Sequence, residues 1–93
     1  MREFEKVSGK NKGSIILFAL STCVWCKKTK KLLEELNVGY SYIDMDLIDE
    51  DVKDKFLNQL KQWNPSCSYP TLVINDKDCI VGFDEEKIRK VLK

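Results

Sequence analysis

Histidine is absent from this 93-residue chain. Its absence removes Ser-His-Asp and Cys-His nucleophile pairs, histidine-based zinc peptidases and imidazole acid–base catalysis together. A large excess of charge is missing too. Sixteen Lys and Arg stand against fifteen Asp and Glu, a net charge of +1, so no global field draws the chain to nucleic acid or anionic lipid. The apolar run Ile15-Ile16-Leu17-Phe18-Ala19-Leu20 falls far short of the ~18 residues that span a bilayer. It is also short for a signal-peptide core of roughly 7–15 residues. No repeat or low-complexity stretch is present. Together these absences predict a cytoplasmic monomer that binds neither membrane nor nucleic acid and recognises its partners by local features.

What remains for chemistry is cysteine, carboxylate, lysine and tyrosine. The length suits one domain. Four cysteines in a reducing compartment point to metal binding or redox activity rather than to a static disulfide framework. Residues 14–93 are read as a single domain. Residues 1–13 are read either as a tail or as a short edge strand, Phe4-Glu5-Lys6-Val7, turning back through the linker-like Ser8-Gly9-Lys10-Asn11-Lys12-Gly13.

Periodicity then sets out the elements. Ile15–Leu20 is a short continuous apolar run, as in a strand buried on both faces. Ser21 and Thr22 offer helix N-caps, and a stripe at positions 29, 32, 33 and 36 follows and stops near Asn37-Val38-Gly39. Tyr40–Met45 alternates as a strand does. Asp49-Glu50-Asp51 opens a helix whose face carries Val52, Phe56, Leu57, Leu60 and Trp63. Thr71–Ile74 and Cys79–Gly82 flank Asn75-Asp76-Lys77-Asp78, a hairpin signature. Asp84–Lys93 begins acidic, ends basic and offers Ile88, Val91 and Leu92 to a core. The order β-α-β-α-β-β-α predicts an α/β fold, a mixed four-stranded sheet with helices on both faces.

Cys23-Val24-Trp25-Cys26 falls where the first strand hands over to the first helix. C-x-x-C alone is a weak signal, but beside a βαβ pattern it reads as a redox dithiol. At a helix N-terminus, free N–H groups and the positive end of the dipole favour a thiolate at Cys23, and the thiolate is the attacking species. Cys26, one turn further in, is placed to resolve a mixed disulfide. Lys27, Lys28, Lys30 and Lys31 follow. Lys27 and Lys28 are candidates for favouring the Cys23 thiolate or attracting an anionic partner. The alternative is a solvated lysine face paired with Glu34 and Glu35. Pro70 suits the first residue of a strand, and the general preference of X–Pro bonds predicts a trans Tyr69–Pro70 bond. Cys67 is a third thiol or a bystander, Cys79 a small buried hydrophobe, and Trp63 a core residue. Trp25 and Tyr69 would rim the dithiol.

The combination of Cys23-x-x-Cys26 after a buried strand, Tyr69-Pro70-Thr71 before the hairpin, and Gly82-Phe83-Asp84 before the last helix resembles the glutaredoxin branch of the thioredoxin-fold redoxins. The resemblance implies a dithiol–disulfide oxidoreductase. It also implies a cis Tyr69–Pro70 bond facing the cysteines, with the backbone of Tyr69 binding the cysteinyl part of a substrate. Gly82, Phe83 and Asp84 would then approach a carboxylate end of glutathione or the backbone of a protein substrate. Val24-Trp25 stands where glutaredoxins usually carry Pro-Tyr, and Gly82-Phe83 where they carry two glycines. In the latter feature the chain looks more like small redoxins served by a protein reductase. Two electron donors thus remain open, glutathione and a protein reductase or ferredoxin-linked system, and no tightly bound cofactor is expected. The competing readings are iron–sulfur or zinc binding through cysteine thiolates, including a glutathione-assisted cluster carrier, and a redox-inert adaptor.

Overall fold

The computed structural model describes residues 4–92. Elements run in the order β1 (Glu5–Val7), β2 (Ile15–Ala19), α1 (Val24–Glu35), β3 (Tyr40–Asp44), α2 (Glu50–Trp63), β4 (Thr71–Ile74), β5 (Asp78–Val81) and α3 (Glu85–Val91). The α/β class and the succession from β2 onward agree with the sequence reading. The sheet does not, because it has five strands in the order β1-β3-β2-β4-β5. Of the two readings of the N-terminal segment, the edge strand holds for residues 5–7. It pairs antiparallel with β3, so the chain does not simply fold back on β2. Three residues reading Glu-Lys-Val carry no detectable period, which is why the count from periodicity stopped at four strands. The tail reading of residues 1–3, and the end of the domain at Lys93, lie outside the described residues.

The segment 8–13 is also more than a linker. The Lys10 N–H donates to the Asn37 carbonyl at 2.8 Å and the Gly39 N–H to the Lys10 carbonyl at 2.9 Å. A Cβ on Gly9 would lie 2.6 Å from the backbone of Val38 and Gly39, so only glycine allows this approach.

Period-two alternation divides β2 between two cores. Ile15, Leu17 and Ala19 pack with Cys26, Leu32, Leu33, Ile80 and Ile88 under α1 and α3. Phe18 packs with Ile43, Met45, Phe56, Leu60 and Val73 under α2. Each fully buried Leu, Ile or Phe contributes roughly 1.5–3 kcal/mol of transfer free energy, so these two layers fix where the end of β2 and the start of α1 can lie. β2 is parallel to β3 and antiparallel to β4. Val91, expected in the core, is 36% exposed, while Ile88 and Leu92 are buried. Asn75 and Asp76 both adopt left-handed φ, 55° and 52°. Asn and Asp tolerate that conformation in a tight hairpin turn, and the Lys77 N–H closes it on the Ile74 carbonyl.

The Tyr69–Pro70 bond is cis, against the general preference and in line with the resemblance. The loop leading to it is organised by Asn64, which is 5% exposed. Its side-chain amide donates to the Ser68 carbonyl, the Ser68 hydroxyl and the Thr71 hydroxyl, and its oxygen accepts the Ser66 N–H. Thr71 in turn donates to the Ser68 carbonyl at 2.8 Å. Replacing Asn64 by Ala leaves Thr71 and two backbone groups short of a partner. A destabilisation of about 2–3 kcal/mol is expected, read as a fall in Tm of roughly 10 °C or more. An unchanged Tm would show that the network does not hold the loop.

Candidate active site

Helix α1 begins one or two residues later than the sequence suggested, and the residue that caps it is Cys23 itself. Its backbone is extended at φ −82°, ψ 117°, and its sulfur accepts the Cys26 N–H at 3.2 Å. Ser21 and Thr22 are therefore not the caps. The Cys23 carbonyl accepts the Lys27 N–H at 3.0 Å, and the Cys23 N–H donates to the Leu20 carbonyl at 3.2 Å, closing the turn from β2 into the helix. With no acidic residue in the first turn, this sulfur lies at the positive end of the helix dipole.

Cys26 differs in every respect. It is fully buried and packs in the α1–α3 core. Burial, then the hydrogen bond of Cys23, push its thiol up to about 12; the Leu20 backbone lowers it, the Cys23 charge raises it further, and the Lys30 charge has the smallest, lowering influence. The two sulfurs of one motif are thus a half-buried hydrogen-bond acceptor and a fully buried, protonated thiol.

Several residues converge around them. Tyr69 is half-buried and packs against both cores. Its phenol is pushed up by burial, and next by the charges of Cys67, Cys26 and Asp46. Pro70 is buried, and its carbonyl accepts the Gly82 N–H at 2.7 Å. That bond ties the cis turn to the segment before α3. Gly82 has φ 82°, a left-handed conformation that explains the glycine. Trp25 is 54% exposed and stacks on Phe83, with ring centroids 6.0 Å apart and planes at 26°. The Lys28 ammonium sits 4.5 Å over the indole. Trp25 on the first turn of α1 and Phe83 before α3 therefore form a stacked aromatic pair.

Asp84 has a prior commitment: its carboxylate caps α3 by accepting the Lys87 N–H at 3.1 Å. Lys27 and Lys28 are exposed beside Cys23. The uniform lysine face paired with Glu34 and Glu35 is not what forms. Lys30 turns inward to Asp44 at 3.1 Å, and Glu35 meets Arg89 at 3.8 Å. Trp63 is half-buried at the edge of the α2 core, not deep within a core. Cys79 is half-buried, its thiol directed at the Trp63 carbonyl at 3.7 Å and pushed up by burial. Cys67 has a left-handed φ of 53° and packs with Tyr69 on the α2 side. Among the described residues no three Cys, Asp or Glu side chains gather as a metal-holding group, so the four cysteines are not drawn into one site.

Two contacts at the site were not foreseen. The Asp46 carboxylate accepts both the Ser21 N–H and the Ser21 hydroxyl, which holds that carboxyl below its ordinary range and ties the loop before Cys23 to the chain after β3. A pairing across 25 positions leaves no local signal. Lys30 had one, since it lies four residues after Cys26 and so one helical turn along the same face.

Comparison with known proteins agrees with this geometry. The glutaredoxin family model matches residues 15–79. An uncharacterized glutaredoxin-like 8.6 kDa protein in the rubredoxin operon of Clostridium pasteurianum is 30% identical over 79 residues, covering 85% of this chain and 97% of that one. Methanoredoxin from Methanosarcina acetivorans superposes with a TM-score of 0.91 at 48% identity, covering 95% of this chain and 94% of the other. The glutaredoxin from Methanosarcina mazei Go1 superposes with a TM-score of 0.89 at 44% identity, covering 98% and 88%. With a Cys-x-x-Cys motif capping α1, a cis Tyr69–Pro70 bond and a family match over most of its length, the chain belongs to the glutaredoxin family of thioredoxin-fold thiol–disulfide oxidoreductases.

Proposed function

We propose that the chain is a dithiol–disulfide electron carrier in which Cys23 attacks a substrate disulfide, or a glutathionyl mixed disulfide, and Cys26 resolves the adduct. The observation that carries this reading is the asymmetry of the two sulfurs. Cys23 caps α1 with a backbone N–H aimed at it, while Cys26 is fully buried and holds its proton to about pH 12. In the first step the Cys23 thiolate bonds to one substrate sulfur, and the other sulfur leaves with the electron pair of the broken bond. In the second, Cys26 bonds to the Cys23 sulfur, the substrate thiolate departs, and the Cys26 proton ends on the leaving thiol. Two of the influences that hold that proton, the hydrogen bond and the charge of Cys23, disappear once Cys23 is tied up in the mixed disulfide. Resolution is thereby timed to follow capture.

Trp25, Phe83 and Tyr69 offer an apolar seat for the substrate, Pro70 and the Gly82–Asp84 backbone its edge, and Lys27 and Lys28 a positive flank. An external donor then reduces the Cys23–Cys26 disulfide. Phe83, stacked on Trp25, occupies the place of a second glycine, and the Asp84 carboxylate is already engaged by α3. Both favour a protein reductase or ferredoxin-linked donor over glutathione, in a reducing compartment such as the cytoplasm.

Reduction of a protein disulfide should be lost in Cys23→Ser. Cys26→Ser should retain turnover only of glutathionyl mixed disulfides. Full activity in the Cys23 variant would refute the assignment. The donor is read by comparing rates of reduction of the oxidised protein: a thioredoxin-reductase-type or ferredoxin-linked system should outpace glutathione, and the reverse order would make glutathione the reductant.

The buried thiol also sets an alkaline limit. Unfolded Cys26 ionises near 9.0, whereas in the folded chain it stays protonated to about 12, so the unfolded state loses its proton first. The stabilising contribution is complete below about pH 9 and is lost as pH rises toward 12. Burial of Tyr40 and Tyr69 acts in the same direction. Denaturation midpoints of the reduced protein should fall above pH 9.0, and fall less once the disulfide has removed the titrating thiol. Equal slopes in the two redox states would contradict this.

A further inference from the structure

Lys30 is the member of the α1 lysine group that does not face water freely. Its ammonium meets the Asp44 carboxylate at 3.1 Å, with the two side chains only 21% and 14% exposed. It also lies 4.1 Å over the ring of Tyr42. A lysine ordinarily gains by turning its head into solvent. Here the head is fixed between α1 and β3, on the side of the sheet where Cys26 is buried. Two pieces of geometry bring that head to the dithiol. Lys30 is four residues after Cys26 on one helix, and long helical side chains lean toward the N-terminus, hence toward the turn that carries Cys26. Asp44 is the register partner of Ala19, and Ala19 packs in the same core as Cys26.

The groups that act on Cys26 from the surrounding elements are Cys23 and Lys30 on α1 and the Leu20 backbone at the end of β2. Tyr69, before β4, is within charge range of Cys26, and Asp44 on β3 holds Lys30. Cys23 disfavours a Cys26 thiolate and Lys30 favours it. Capture of a substrate removes the negative charge of Cys23 and leaves the ammonium in place.

We infer that Lys30, held by Asp44, is a positioning residue for the resolving step, its ammonium stabilising the Cys26 thiolate as it attacks the Cys23–substrate disulfide. The inference rests on the order of attack proposed above and adds an agent for its second half. The bond changes are those already given: the Cys26–Cys23 bond forms, the Cys23–substrate bond breaks, and the substrate sulfur leaves reduced. Lys30 neither gains nor loses a bond or an electron pair. Removing the ammonium lowers the thiolate fraction of Cys26, and for each tenfold lost the higher nucleophilicity of the more basic thiolate returns roughly threefold. A roughly tenfold loss of thiolate therefore slows the resolving step roughly threefold.

The test uses the full chain with Cys67 and Cys79 replaced by Ser, mixed rapidly with a chromogenic aromatic disulfide, dithiobis-nitrobenzoate. One thionitrobenzoate is released when Cys23 captures the probe, in a phase that depends on probe concentration. A second is released when Cys26 resolves, in a phase that does not. Lys30→Met should leave the first phase within about twofold and slow the second by roughly threefold. Lys30→Arg should restore the second phase, and the solvent-facing Lys31→Met should leave both unchanged. If Lys30→Met does not fold, Lys30→Met with Asp44→Asn removes both charges together and should show the same slow second phase. A folded Lys30 variant with a normal second phase, or with both phases slowed equally, would overturn the inference. Loss of the first phase with Cys23 intact, or its persistence in Cys23→Ser, would instead overturn the order of attack itself.

Discussion

A single backbone N–H, donated by Cys26 to the sulfur of Cys23, organises the chemistry of this chain. It makes one cysteine the cap of a helix and the other the first residue whose burial that helix enforces. Because the bond joins positions three apart, the cap sulfur sits among unsatisfied donors while Cys26 turns into the α1–α3 core. Burial of a neutral thiol there and positive electrostatics at the cap are two consequences of one local geometry. Together they place the two sulfurs of one motif in different surroundings, in a chain that has no histidine.

That geometry would be useless if the turn from β2 to α1 could drift, and the surrounding loops restrain it. Asp46 holds Ser21 by two hydrogen bonds, Leu20 receives the Cys23 N–H, and Gly82 binds the Pro70 carbonyl. Asn64 and Thr71 knit the loop before the cis bond. These restraints come from four separate stretches of chain, and each uses a polar group that would otherwise need water. Exposed hydrogen bonds such as the Ser21–Asp46 pair contribute modestly to global stability. Their effect is on position, and a sulfur nucleophile depends on position as much as on charge.

The rim shows how substitution within a family can redirect a site. Phe83 in place of a glycine finds Trp25 and stacks on it, and Lys28 adds its charge to the exposed indole face, a contact that contributes roughly 0.5–1 kcal/mol at exposed sites. The result is a larger apolar shelf beside Cys23 and less open backbone near residue 83.

Much of this was legible along the chain. The buried run at Ile15–Leu20, the helical stripes, the Asn-Asp turn and Cys23-x-x-Cys26 at a strand-to-helix junction are local signals, set by side-chain period and turn chemistry, and each element appears close to where those signals place it. The edge strand β1 was not decided there, because three residues of mixed polarity acquire a strand conformation only by pairing with β3. The cap of α1 was misread for a related reason. Ser21 and Thr22 are better capping types, but Asp46, distant in sequence, holds Ser21 and leaves Cys23 to cap. The cis bond, the inward turn of Lys30 and the half-exposure of Val91 likewise depend on what lies opposite. The sequence by itself determined the elements and the pair of reactive atoms, since both follow from neighbours within one helical turn. Tertiary structure alone decided which lysine is held and which carboxylate is engaged, because charge pairing is a property of packed surfaces rather than of the chain.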